Sequence, residues 1–144
     1  MVNLKRFFQP VPQPVFASTA LLVIHLIAGV AFTIHGWGKI QHAFNWMGPD
    51  APVPAFLQFL AAFSEFGGGI AWILGFLTPL ASLGILCTMT VAVHMHMIVR
   101  GDPFVNLTGG LSYEPALGYW GLALLILALG PGKFSLDKKI FGSR

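Results

Sequence analysis

The sequence predicts an all-α integral membrane protein, a four-helix bundle with a short interfacial helix between its first and second spans. Of its 144 residues, 56% are hydrophobic and 9% are charged, whereas soluble domains carry roughly 25% charged residues. Four apolar stretches each approach the ~20 residues that cross ~30 Å of hydrocarbon. Because they lack the alternating pattern of barrel strands, we expect helices packed as a single domain over residues 1–144.

The first span is predicted over residues 14–37. Residues 9–14 contain three prolines, which cannot donate the hydrogen bonds of a helix interior, so the helix should begin after them. Lys5 and Arg6 precede the span as they would in a signal peptide, but the stretch is long and no small-residue cleavage site follows it. We therefore expect a retained membrane anchor.

The next elements are a surface helix and two tightly joined spans. Residues 37–48 combine tryptophans with an amphipathic pattern, which predicts a short helix lying at the membrane surface. The second and third spans are predicted over residues 54–76 and 78–99. The turn between them is so short that these two helices must be antiparallel neighbours.

The last span follows a longer connection. Residues 100–110 are punctuated by glycine and proline, which indicates a loop and a candidate lid. The fourth span is predicted over residues 113–130.

Basic residues are distributed unevenly between the two sides of these spans. Because cytoplasmic loops are enriched in lysine and arginine, both termini should be cytoplasmic, in the inner membrane of a bacterium. The pI of about 9.4 then reflects orientation, and we expect membrane lipids and no nucleic acid as partners. The terminal side carries Lys5, Arg6, Lys133, Lys138, Lys139 and Arg144, against Lys39 and Arg100 on the other side.

The chain offers little redox chemistry of its own. Cys87, its single cysteine, excludes an intramolecular disulfide, a Cys-x-x-Cys pair and a thiolate metal cage. The sequence also carries no flavin, nicotinamide or iron–sulfur motif. Electrons for any redox reaction must therefore come from a partner.

Glu65 lies near the middle of the second span, where a carboxyl group costs on the order of 2.5–3.5 kcal/mol by insertion scales. Its helical face is rich in small residues, which allow membrane helices to approach closely. We therefore expect Glu65 on a packing face and not toward lipid. A structural role, protonated or paired with a histidine, and a role in proton handling or ligand binding both remain open. The face comprises Ala61, Ala62, Gly68, Gly69 and Trp72.

Histidines occur in the first and third spans. His94 and His96 point to opposite sides of a helix, so they cannot chelate one metal together and no metal site is predicted from them. His94 shares the more polar face and should point into the bundle, while His96 shares a face with Arg100 nearer the surface. His25 lies deeper in the first span, but no imidazole matches it at similar depth, so haem is not expected.

Several polar groups gather toward the outer half of the predicted bundle. Such a set suits a quinone head group, because histidine or lysine stabilises a carbonyl oxygen and a carboxylic acid exchanges protons. A proton path without ligand and a carboxylate–imidazole metal site remain open, and Glu114 also suits a helix-start carboxylate. We predict catalytic roles for Glu65, His94 and Glu114, and cofactor binding by His35, Lys39, Trp72 and Arg100.

The order and spacing of several motifs resemble the DoxX family of small four-helix membrane proteins, from about Gly29 to Asp137. The resemblance implies a four-helix bundle with cytoplasmic termini and ties some members to quinone-linked oxidoreductases, including the thiosulfate:quinone type. It makes Lys39, Glu65 and Glu114 motif positions. The motifs are Gly36-Trp37-Gly38-Lys39, Glu65-Phe66-Gly67-Gly68-Gly69, Ala92-Val93-His94 and residues 74–81, 114–119 and 130–137.

Three functions follow from this pattern. We expect a membrane subunit of a quinone-linked oxidoreductase assembly, which binds quinone or handles protons in the outer half of the bundle and receives electrons from a partner subunit. The alternative is a non-catalytic structural or interaction subunit of a larger membrane complex. A small transporter or proton-conducting module is the third. Whether the protein is an enzyme, and whether it forms a homo-oligomer, are left open.

Overall fold

The computed structural model describes residues 4–144, and the regular structure in that range is entirely helical. A short helix, α1, precedes three long helices, the third of which ends in a π-helical turn. Two further helices complete the chain. Their bounds are α1 Leu4–Phe8, α2 Val15–Ile40, α3 Ala55–Leu74, α4 Thr78–His94 with the π turn Met95–Val99, α5 Glu114–Leu129 and α6 Leu136–Phe141.

Within residues 4–144, three helices are long and apolar enough to cross a membrane, and they lie within a few residues of the first three predicted spans. They contain 26 residues in α2, 20 in α3 and 22 in α4 with its π turn. Large apolar side chains are exposed along them, including Ile27, Ile34 and Phe63, as contact with lipid requires. The apolar helix α5 has 16 residues, or about 24 Å at 1.5 Å per residue, and falls short of that length.

The predicted surface helix between the first two spans is not formed. Residues 41–47 make consecutive turns in which backbone N–H groups bond three residues back, as Asn45 does to the carbonyl of His42 at 2.9 Å. The buried Gln58 side chain accepts the N–H of Met47 at 3.1 Å, and its backbone carbonyl accepts the indole N–H of Trp46 at 2.9 Å. These bonds hold the segment against α3, and the helix prediction was wrong.

Helices α2 and α3 approach closely through glycine. A side chain at Gly36 would collide with the backbone of Phe66, and a Cβ at Gly69 would lie 2.5 Å from the backbone nitrogen of Thr33. Helix α2 continues through Gly36 and Gly38 to Ile40. The prediction that Glu65 and its small neighbours lie on a packing face is confirmed, because the face that includes Ala62, Gly68 and Gly69 is buried.

The turn between α3 and α4 is as short as predicted. Gly75 and Leu77 both adopt left-handed backbone conformations, with φ of 59° and 47°. The Asp137 carboxylate accepts the N–H groups of Leu77 at 2.7 Å and Thr78 at 2.8 Å, and so caps the start of α4. Burial raises the pKa of the Asp137 carboxyl, while these hydrogen bonds act in the opposite direction.

One apolar core is shared by the four helices α2, α3, α4 and α5. The terminal helices α1 and α6 contact each other. The rings of Phe8 in α1 and Phe141 in α6 stack at 5.1 Å, and the Gln9 side chain donates to the carbonyl of Phe141 at 2.8 Å. We call this the terminal end of the molecule. The opposite end, which bears connections 41–54 and 100–113, is the outer end. The core comprises Ala28, Phe32, Trp72, Ile85, Met89, Ala123 and Ile126.

Candidate functional site

The centre of the site is an ion pair between α2 and α3. The Lys39 ammonium lies 2.6 and 2.7 Å from the two carboxylate oxygens of Glu65. The Glu65 side chain is 4% exposed and that of Lys39 is 27% exposed. The close contact of Gly36 with the backbone of Phe66 brings the two helices near enough for the lysine, three residues further along, to reach the carboxylate.

Residues 41–47, which form turns in place of the predicted surface helix, cover this ion pair. The Lys39 ammonium lies 4.5 Å from the centre of the Trp46 ring, a distance typical of cation–π interactions. Gln58, which is 3% exposed, fixes the segment through both of its side-chain groups, since its amide also donates to the carbonyl of Val53 at 2.8 Å. Trp46 is therefore positioned by α3 on the outer side of the pair.

A cavity of about 530 Å³ lies between the outer halves of α3 and α4, with the ion pair in its wall. Its volume falls within the ~300–1,000 Å³ typical of small-molecule sites. Most of its lining is apolar. The lining residues are Lys39, Trp46, Met47, Val53, Leu57, Leu60, Ala61, Ser64, Glu65, Gly84, Cys87, Thr88, Val91, Ala92, Met95, His96 and Arg100.

The end of α4, including its π turn, supplies the cavity's other basic side chains. His96 Nδ1 lies 2.7 Å from a carboxylate oxygen of Asp102, which belongs to the following connection. Arg100 also lines the cavity, and its guanidinium forms no ion pair within residues 4–144. The site thus combines one paired lysine, one paired histidine and one arginine free to meet an electron-rich group.

Comparison with known proteins assigns the chain to a family. A model of the DoxX family matches residues 12–98, more than half of the chain. The chain belongs to the DoxX family. It is similar to inner membrane protein YqjF of Escherichia coli (strain K12), with 32% identity over 128 residues that cover 84% of this chain and 92% of the relative. No solved structure matches significantly.

The chain is also similar to a second inner membrane protein. The inner membrane protein YphA of Escherichia coli (strain K12) is 30% identical over 130 residues, which cover 85% of this chain and 86% of the relative. Together with the three membrane-spanning helices, these relatives make this DoxX protein a multi-pass inner membrane protein. Both alignments cover more of the chain than the family model does.

The cavity of this DoxX protein contains three of the seven predicted site residues, Lys39, Glu65 and Arg100. His94 is exposed outside it, although it was expected to point into the bundle. An α-helix turns about 100° per residue, which moves His94 away from Met95 in the cavity wall. His96 follows Ala92 by four residues and shares its face, and the π turn, closed by the bond from Arg100 N–H to the Met95 carbonyl at 3.0 Å, winds more slowly and keeps Arg100 at that wall.

The other three predicted residues also lie elsewhere. His35 is exposed on α2. Trp72 is fully buried in the core, where its indole N–H donates to Ser82 Oγ at 2.9 Å and its ring meets Phe32 edge-on. Glu114 is exposed at the start of α5, a position where a carboxylate interacts favourably with the helix dipole. None of these three lines the cavity.

Sequence reasoning missed several groups that shape the site. Trp46 and Asp102 contact Lys39 and His96 across turns and a connection, and Gln58 holds the Trp46 segment in place. A glutamine inside a membrane span was the available signal for Gln58, because a buried amide needs partners. Asp102 follows Arg100 closely enough to have been considered as a partner for the third-span histidines.

No metal site emerges from the described part of the chain, where no three histidine, cysteine, aspartate or glutamate residues lie close enough to hold an ion. His25 is buried and is not part of the cavity lining, and it lies beside the backbone of Trp72 and Pro131. Neither of its ring nitrogens has a hydrogen-bond partner within residues 4–144.

Proposed function

We propose that this DoxX protein binds the head group of a quinone in the cavity between α3 and α4, as the membrane subunit of a quinone-linked oxidoreductase assembly. The observation that carries the proposal is the Lys39–Glu65 ion pair in the wall of a largely apolar 530 Å³ cavity. A flat, mostly apolar ring with polar oxygen atoms matches such a lining. His96 and Arg100 take the place of His94 and Glu114 in this proposal.

The ion pair suits a carbonyl oxygen that gains charge. A lysine ammonium has three N–H donors, of which two meet the Glu65 oxygens, so one is free for the ligand. Glu65 orients the ammonium, because both carboxylate oxygens accept hydrogen bonds from it. As electrons reach the ring, the ammonium stabilises the negative charge that develops on the oxygen.

The reaction needs a partner for electrons. Reduction of the quinone to a quinol consumes two electrons and two protons. We propose that a partner protein of the assembly supplies both electrons, that the Lys39–Glu65 pair passes one proton to the oxygen beside it, and that water at the outer end supplies the other. Lys39 and Glu65 then recover their proton from the same water.

The architecture that we propose around the site is a four-helix bundle in a single domain over residues 1–144, with both termini cytoplasmic. Helix α5 would be the fourth span, tilting little because it has only 16 residues. The stacking of Phe8 on Phe141 supports an even number of crossings, since it keeps α1 and α6 at the same end.

Quinone binding is testable on the purified protein in lipid nanodiscs. We expect a short-chain ubiquinone analogue to raise the melting temperature and to quench tryptophan fluorescence, partly through Trp46. The double variant Lys39→Gln/Glu65→Gln should lose both effects, because it removes the charged donor without leaving one charge unpaired. His35→Gln, on the exposed side of α2, is the matched control and should keep both. A wild-type protein that shows neither effect would rule the proposal out.

A second candidate function is that of an interaction subunit, and the outward face of α5 favours it. A side chain added at Gly118 or Gly121 would meet nothing within 4 Å. Small residues exposed to lipid allow another helix to approach closely. If Gly118→Leu/Gly121→Leu abolishes co-purification of a partner while Lys39→Gln/Glu65→Gln preserves assembly and host activity, the interaction role is favoured over quinone binding.

A further inference from the structure

We propose that the ligand enters the cavity sideways from the membrane, through a window between α3 and α4, and is therefore a lipid-borne amphiphile with an apolar tail. The window is formed by Leu57 and Leu60 on α3 and by Cys87 and Val91 on α4. This inference rests on the proposed function, because it assigns to the quinone head group a long tail that stays in the lipid.

The two helices form a wedge that is closed at one end. Seven residues from Gly75 on α3 and from Thr78 on α4, a side chain at Gly68 would lie 3.2 Å from Ile85. Further along, a side chain at Gly84 would lie 2.8 Å from Ser64 Oγ. Beyond Ser64 and Gly84 the facing residues of both helices line the cavity. The helices therefore touch up to this point and leave a gap between their outer halves.

Lipid reaches the gap from the side. Leu57, Leu60 and Val91 are 48%, 41% and 49% exposed, and Cys87 is exposed as well, although all four line the cavity. Because α3 and α4 cross the membrane, side chains exposed on their flanks contact acyl chains. The cavity is thus open to the hydrocarbon and not only to the aqueous surface.

The window extends inward to the depth of the ion pair. At 1.5 Å per residue, Leu60 is about 8 Å, Cys87 about 18 Å and Glu65 about 15 Å from the outer ends of their helices. The outer approach is covered instead, since Trp46 lies over the Lys39 ammonium and Gln58 holds the Trp46 segment in place. A head group arriving from the lipid meets Lys39 and Glu65 without passing that cover.

The apolar tail should determine where the ligand lies more than how tightly it binds. Lipid chains are as apolar as leucine side chains, so moving a tail from lipid into an apolar window changes its solvation little. A dependence of affinity on tail length would therefore be a poor test. The location of the bound tail, and the effect of blocking the window, are the measurements that decide.

The location can be measured with two photoreactive quinones in proteoliposomes, one carrying a diazirine on the head and one carrying it midway along an isoprenoid tail. We expect the tail reagent to form adducts on residues 57–61 and 84–92 that excess unlabelled quinone suppresses. Ile70 and Leu83, 38% and 45% exposed and outside the cavity, should show only adducts that excess quinone does not suppress. Suppressible tail adducts confined to residues 46–53 or 100–113 would overturn lateral entry.

Blocking the window gives an independent result. Leu60→Trp should weaken binding of the long-chain quinone at least about tenfold more than it weakens binding of a tail-less analogue, whereas Leu83→Trp should change neither. Equal binding of both quinones by Leu60→Trp would overturn lateral entry while the quinone assignment stands. If neither photoreactive quinone gives suppressible adducts on the wild-type protein, both the quinone assignment and lateral entry are wrong.

Discussion

At the scale of single residues, the identity of the partner of Glu65 decides what the site can do. A protonated carboxyl group, or one paired with histidine, was the structural expectation from sequence. The structure pairs it with Lys39 at 2.6 and 2.7 Å instead. An ammonium has three N–H donors, two of which meet the carboxylate, so the pair compensates the buried carboxylate and leaves one donor directed to the cavity.

Removing Lys39 alone should therefore destabilise the protein more than removing both charges. Lys39→Met leaves the Glu65 carboxylate, which is 4% exposed, without a compensating charge. The variant should lose up to about 3 kcal/mol of unfolding free energy. This value is at the low end for buried pairs, because Lys39 itself is partly exposed. Lys39→Met/Glu65→Gln should recover most of that loss. Urea or thermal unfolding in nanodiscs measures both, and a double variant no more stable than the single one would contradict the ion pair's role.

At the scale of helices, close glycine contacts set the distance between α2 and α3 and hence the geometry of the pair. Gly36 and Gly38 lie on the same helix one half-turn apart. A side chain at Gly36 would collide with the Phe66 backbone, whereas one at Gly38 would meet nothing within 4 Å. Substitutions at these two positions therefore distinguish the effect of helix packing from that of intrinsic helix propensity.

We expect Gly36→Ala to force α2 away from α3, to lower the melting temperature and to weaken quinone quenching of tryptophan fluorescence. The cost should be on the order of 1–3 kcal/mol, as for overpacked cores. Gly38→Ala should be neutral or slightly stabilising, because alanine favours a helix over glycine by about 1 kcal/mol. Similar losses in both variants would mean that helix propensity, and not contact with Phe66, is responsible.

The sequence predicted helices and packing faces better than it predicted the site. Hydropathy and small-residue spacing locate the three long helices and the buried face of Glu65, since both depend on local pattern. His94 was assigned to the interior from the polar residues on its helical face, whereas the structure leaves it exposed and places His96, four residues after Ala92, in the cavity wall. Trp46 and Gln58 meet through chain folding between distant segments, so their contact follows from tertiary structure and not from spacing.

At the scale of the whole molecule, the C-terminal segment lies beside the turn between α3 and α4. The Asp137 carboxylate accepts the N–H groups of Leu77 and Thr78, and a side chain at Gly75 would lie 2.6 Å from Ser135. The rings of Phe8 and Phe141 stack, so the N-terminal helix α1 lies at the same end. Both termini and this turn should therefore lie on one side of the membrane, which requires α5 to cross it.

Cysteine accessibility tests this crossing together with the orientation. In a Cys87→Ser background, Phe7→Cys and Ile140→Cys, at sites 37% and 54% exposed, should react with a membrane-impermeant maleimide only after the inner membrane is permeabilised. Asn45→Cys, exposed in the outer connection, should react in intact cells, because the excess of basic residues near the termini holds them in the cytoplasm. If Ile140→Cys reacts together with Asn45→Cys, α5 does not cross and the molecule has three spans. If both terminal sites react in intact cells and Asn45→Cys does not, the four crossings hold but the orientation is reversed.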